Sequence, residues 1–122
     1  MDISKRIAEM KQQPGFNENV GMILIHNGTV RGWSRMDNKK EVVALEVTPD
    51  LEKIEAIRQE LLKREGIYDI VIEALTGRFL PGDDLLYMIV AGDIRENIKP
   101  ALADLLDRVK AEAITKKEIM AE

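Results

Sequence analysis

The segment Gly77-Arg-Phe-Leu-Pro-Gly-Asp-Asp-Leu-Leu-Tyr-Met-Ile-Val-Ala-Gly-Asp-Ile-Arg95 constrains the fold more than any other part of this chain. Pro81-Gly82-Asp83 is a turn signature. Asp84 to Ala91 then reads as an apolar strand, and Gly92-Asp93 ends it, with Asp93 placed to cap a helix running to about Lys110. Turn, strand, tight turn and helix must follow one another here. Helical positions advance by about 100° per residue, so Leu102, Leu105 and Val109 fall within about 40° of Ile98 and form the stripe that faces the core.

Upstream, Ile3, Ile7, Ala8 and Met10 recur at helical spacing over residues 2–12, and Gln13-Pro14-Gly15 stops that helix. Val20 to Ile25 is a β-branched run. Asn27-Gly28 after it is a strong hairpin signal, with Thr29-Val30-Arg31 resuming an extended segment. Gly32 to Lys40 is polar and too long for a tight turn, so an exposed, mobile loop is expected. Glu41 to Val47 reads as a strand. Thr48-Pro49-Asp50 reads as a helix start, with Thr48 as N-cap and proline in the first turn. Leu51, Ile54, Ile57, Leu61 and Leu62 share one face of that helix, Glu60 and Arg64 form an i,i+4 pair, and Gly66 suits a left-handed C-cap. Ile67 to Leu75 is another strand. The order implies a single α+β domain over residues 1–122, with a mainly antiparallel sheet and flanking helices.

Composition excludes several function classes. A net charge of −4 opposes general nucleic-acid binding, which requires broad phosphate neutralisation. Without cysteine the chain has no thiolate nucleophile and no disulfide, and one histidine without an acidic cluster gives no metal site. No cofactor is implied. The amino terminus lacks a signal-like apolar run, and no window is long enough to span a bilayer, so a cytoplasmic protein away from membranes is expected.

Against this acidic background Arg95, Lys99, Lys110, Lys116 and Lys117 gather on or after the last helix. Lys99 and Lys110 are separated by about 20° on the helical wheel, beside the apolar stripe. A lone lysine in such a place is more often a snorkelling side chain, and basic residues near a helix C-terminus favour the dipole. The cluster by itself leans only weakly towards an anion site. His26 shares the face of Met22 and Leu24 and reads as a satisfied, partly buried histidine. Trp33 fits a contact surface and a side chain folded back on the domain equally well.

Three blocks, in order, raise the reading above this. Gly28-Thr-Val-Arg31 follows an apolar strand, Gly77-Arg-Phe-Leu-Pro-Gly-Asp83 leads into a strand ending at Ile94-Arg95, and Asp107-Arg-Val-Lys110 precedes Lys116-Lys117-Glu118. Together, from about Val20 to Glu118, they resemble the large, catalytic subunit of molybdopterin synthase. The resemblance implies that family's α/β-hammerhead fold and a homodimer at the centre of a heterotetramer. Its partner would be a ubiquitin-like small subunit whose C-terminal Gly-Gly carries a thiocarboxylate. Its reaction would move sulfur to cyclic pyranopterin monophosphate, a pterin phosphate, to make molybdopterin.

Carried over by position, the resemblance makes Lys110 and Lys116 catalytic and Arg31, Arg95 and Lys117 substrate-binding, with Lys117 replacing Lys116 if the alignment slips by one. The chain departs from the pattern at Ile94, where the family has histidine, at Lys99, where it has an aromatic, at Ile114-Thr115 before the lysine pair, and in most of the tail beyond that pair. A non-catalytic dimeric paralogue that binds the small subunit or an anionic small molecule therefore remains the alternative. A small-molecule-binding regulatory domain stands behind it.

Overall fold

The structure is a computed structural model describing residues 1–122. The strands form two three-stranded antiparallel sheets. One has β1 (Met22–Thr29), β5 (Asp84–Gly92) and β3 (Ile67–Ala74) in the order β1-β5-β3; the other has β4 (Gly77–Phe79), β2 (Val42–Pro49) and β6 (Ile114–Met120) in the order β4-β2-β6. Four helices accompany them: α1 (Ile3–Lys11), α2 (Phe16–Asn19), α3 (Leu51–Leu62) and α4 (Arg95–Glu112). The α+β architecture expected from the sequence is present.

β5 is apolar throughout because both of its faces are covered. Leu86, Met88 and Val90 pack with Ile54, Ile57 and Leu61 of α3 and Ile98, Leu105 and Val109 of α4. Ile89 and Ala91 alternate to the other face and meet Met10 of α1 and Phe16 of α2. Of the residues placed on the α3 stripe, Leu51 is exposed at the start of the helix and Leu62 is only partly buried. Leu102 likewise sits at the edge of the core, and Ala101 is buried beside it.

Several local expectations are corrected. Asn27-Gly28 does not turn: β1 runs through it, paired with Tyr87 and Leu86 of β5, and the Asn27 side chain donates to Asp84 Oδ1 at 3.0 Å. The long-range partner strand outweighs the local turn preference. The N-cap of α3 is Asp50, whose Oδ1 accepts from the Lys53 N–H at 3.1 Å, while Thr48 and Pro49 still belong to β2. Asp93 does not cap α4 as expected; Ile94 holds the cap position, and Asp93 Oδ1 accepts from its N–H at 2.6 Å and from Asn97 Nδ2 at 3.0 Å.

α4 continues through Pro100, which stands on its exposed side. Glu60 and Arg64 do not pair with each other. Glu60 meets Arg108 and Arg64 meets Asp104, so these charges tie α3 to α4. The chain after α4 is a strand, β6, laid against β2 with Val47 opposite Lys116 and Glu46 opposite Lys117. No helix is long and apolar enough to cross a membrane.

Candidate functional site: a cationic cavity between the sheets

Where the end of β1, β2, the end of α4 and β6 converge, they enclose a cavity of about 110 Å³. Its floor is apolar, with Val42, Leu45 and Val47 of β2 and Ile114 of β6. Its polar groups are Arg31 after β1, Lys110 in the last turn of α4, and Lys116 and Glu118 of β6. Period-two alternation explains β6: Lys116 and Glu118 face the cavity, whereas Lys117 lies on the opposite face, in register with Glu46, which itself pairs with Arg78 at 3.8 Å.

The loop from Gly32 to Lys40 is exposed at most positions, yet it is tied down. Ser34 is fully buried; its Oγ donates to Glu118 Oε1 at 2.6 Å and accepts from the Asp37 N–H at 3.0 Å. Backbone bonds from Ser34 N to Lys40 O and from Lys39 N to Ser34 O close the loop, and Asn38 and Lys39 take positive φ to allow it. The loop is exposed as expected, and Ser34 clasps it to β6. Trp33 lines the cavity at its rim, with the Arg31 guanidinium 4.6 Å from the ring centroid and the Lys39 ammonium at 5.8 Å. Such cation–π contacts restrict an otherwise free arginine fork.

Among the arginines, charge pairing separates this site from the rest of the surface. Arg6, Arg58, Arg64, Arg78, Arg95 and Arg108 each sit in an ion pair. Arg31 and Arg35 do not, and neither do Lys110 and Lys116. Lys110 is exposed as a residue and also lines the cavity. Burial, and then the positive charges of Lys116, Arg31 and Arg35, hold its pKa below the ordinary lysine range, with Asp107 opposing them. Unpaired cations around an apolar floor favour an anion, and the depressed Lys110 is the group most ready to give up a proton.

The sequence-expected residues do not all meet. Arg31, Lys110 and Lys116 share the cavity. Arg95 stands at the first turn of α4, paired with Glu96 at 3.2 Å, and Lys99 lies beside it on the same helix end. Lys110 lies fifteen residue steps along the helix from Arg95, a rise of about 22 Å at about 1.5 Å per residue. Gathering all five cations in one place within a single protomer is thereby corrected: a helical wheel reports angle and discards rise. Arg35 and Glu118 were missed as site residues. Glu118 is placed by the pairing of β6 with β2, and nothing local in the sequence marked Arg35.

The family model described as MoaE protein matches residues 1–112. The chain belongs to the MoaE family. Its role is accordingly in molybdopterin biosynthesis. The match ends before β6, so Lys116 and Glu118 are placed by the structure.

Solved MoaE-like structures agree over the whole fold. A molybdopterin synthase from Staphylococcus aureus superposes with a TM-score of 0.77 at 21% identity, covering 98% of this chain and 85% of that one. Molybdopterin cofactor biosynthesis protein E from Burkholderia multivorans gives 0.74 at 25% identity, covering 99% and 82%. A complex of subunits 1 and 2 of molybdopterin-converting factor from Helicobacter pylori gives 0.67 at 19% identity, covering 100% and 85%. Among curated proteins none matches.

Proposed function

We propose that the cavity between β2, β6 and α4 is the sulfur-transfer site of a molybdopterin synthase large subunit. It receives the thiocarboxylated Gly-Gly end of a ubiquitin-like small subunit and acts on cyclic pyranopterin monophosphate. The observation that carries this reading is Lys110, its pKa depressed among Lys116, Arg31 and Arg35 with no carboxylate paired to any of them. The Helicobacter pylori complex supports a small-subunit partner. A volume of about 110 Å³ holds a few water molecules' worth of ligand, the tip of an extended tail or one phosphate. The rest of each reactant therefore lies outside it. The assembly is a dimer of large subunits with a small subunit on each, working in the cytoplasm.

The chemistry follows from the charges. A thiocarboxylate and a phosphate are both anions, which Arg31 binds through its fork and Lys110 and Lys116 through compact ammonium groups. Once the thiocarboxylate sulfur has bonded to the pterin, water must cleave the acyl–sulfur bond and return the tail as a carboxylate, so protons must move and negative charge must be held. Lys110, with its lowered pKa, exchanges the proton, and the neighbouring Lys116 stabilises the developing anion. Arg95 binds a substrate anion from the other end of α4, and Lys117 serves on the outer face of β6 at the edge of the small-subunit contact.

The test is reconstitution of the protein with a thiocarboxylated small subunit and the cyclic pterin precursor, assaying dithiolene product directly. Lys110→Ala should abolish product while its circular dichroism and melting temperature stay at wild-type values. Full turnover by that variant overturns the assignment. Small-subunit binding by wild-type protein without any product would establish the non-catalytic paralogue instead, the reading that the exposed Ile94 at the head of α4 favours.

A further inference from the structure

His26 is the chain's only histidine, and its Nε2 is the one buried side-chain nitrogen or oxygen with no hydrogen-bond partner. The satisfied histidine expected from the sequence is not what the fold contains. An orphaned buried polar atom is destabilising and uncommon, so its surroundings carry information.

On β1, His26 continues the row of Met22 and Leu24, which pack against the main core, and the next member of the row is Gly28, which lines the cavity. A Cβ built on Gly28 would stand 3.0 Å from His26 Nε2. The imidazole therefore leans along the strand over Gly28, and no Cβ stands between the buried Nε2 and this residue of the cavity lining. Met88, opposite His26 on β5, offers no strong polar group. From α4 the charge of Lys110 acts on the ring; Lys110 in turn feels Asp107 on its own helix, Lys116 on β6, and Arg31 and Arg35 on the loop. Burial first, and then Lys110, keep the imidazole pKa below 6.5, so the ring is neutral at pH 7. With its proton on Nε2, a neutral imidazole is a hydrogen-bond donor that adds no further charge to a crowded cationic site.

We propose that His26 donates its Nε2–H, across the gap left by Gly28, to the anionic group seated between Arg31, Lys110 and Lys116. This rests on the reading of the cavity as an anion site. The acceptor is an oxygen or sulfur of a phosphate, carboxylate or thiocarboxylate, and inorganic phosphate is the simplest probe of that class. His26 is then a ligand-orienting residue, with Lys110 still the group that exchanges the proton.

The experiment is a phosphate titration at pH 7.5, followed by NMR of the imidazole and by calorimetry. A single histidine makes the resonances unambiguous. On saturation the Nε2 proton should move downfield while the ring stays neutral. His26→Phe should bind phosphate three- to tenfold more weakly, and His26→Gln, which keeps an N–H donor, should stay within about twofold of wild type. A purely structural histidine would alter melting temperature without this rescue. Unchanged imidazole shifts at saturation, or wild-type affinity in His26→Phe, overturns the proposal. The wild-type NMR arm decides even if the phenylalanine variant fails to fold. If wild-type protein binds no phosphate and Lys110→Ala changes nothing, the anion reading itself falls. Binding that depends on Lys110 but not on His26 removes only the histidine.

Discussion

Replacing Ser34 with alanine tests whether the clasp between the loop and β6 builds the cavity. The substitution deletes one hydrogen bond to a carboxylate, at 2.6 Å from Glu118 Oε1, and one from the Asp37 N–H, at 3.0 Å. Bonds to charged groups contribute about 1.5–3 kcal/mol and neutral ones about 0.5–1.5 kcal/mol. Glu118 is only half-buried and recovers some hydration, so the net loss should be about 2 kcal/mol. Against a total stability of about 5–15 kcal/mol, urea denaturation resolves that easily. Because Ser34 holds the segment carrying Arg31 and Trp33 against the strand carrying Lys116, the same variant should bind phosphate more weakly. A double-mutant cycle with Glu118→Ala isolates the pair, since two residues in direct contact should not be additive. Stability within about 0.5 kcal/mol of wild type, or additivity of the two single variants, would refute the clasp, because that loss lies below the range for a bond to a charged group.

Three further outcomes follow from the packing and the charges. With Lys110 acting as a base, turnover should rise with pH through its depressed pKa, in a window below the usual value near 10.4. Lys116→Ala removes one of the positive charges that depress it, so the rising limb of the pH–rate profile should move to higher pH; an unmoved limb breaks the link between the two lysines. Leu105 is fully buried between α4 and the β1-β5-β3 sheet, and Leu105→Ala should cost about 2–5 kcal/mol, read as a lower urea midpoint with an unchanged slope.

What could be read from the sequence was set by whether a signal was local. The α4 stripe of Ile98, Leu105 and Val109 and the α3 stripe of Ile54, Ile57 and Leu61 depend only on helical period, and all six are buried. The β5 run read as a strand from its apolar residues, and the fold buries both its faces, Tyr87, Ile89 and Ala91 on one and Leu86, Met88 and Val90 on the other. Asn27-Gly28 misled because turn chemistry is only a local preference, and the β5 partner lies about sixty residues away. β6 is too polar to show period-two alternation: Thr115, Lys116 and Lys117 are exposed in succession, and only pairing with β2 makes them a strand. The candidate site suffered from the same gap. Lys110 and Arg31 came from ordered motifs, whereas Glu118 depends on the register of β6, and Arg35 on a loop held by one buried serine.

Arg95 is where the geometry within one protomer and the proposed chemistry part company. It sits about 22 Å along α4 from Lys110, so the two cannot grip one small anion within a protomer. If Arg95 serves the reaction, it does so in the cavity of a second copy of the chain. Mixed dimers decide the matter. Arg95→Ala and Lys110→Ala homodimers should each be inactive. When they are co-expressed and the mixed species is purified with two tags, a shared site concentrates both lesions in one cavity and leaves the other intact, restoring up to half of wild-type turnover per dimer. A site built within one protomer places one lesion in each cavity, and the mixed dimer stays inactive. Wild-type activity in the Arg95→Ala homodimer would instead confine the chemistry to Arg31, Lys110 and Lys116, and would make the Arg95–Glu96 pair a surface contact of little energetic weight.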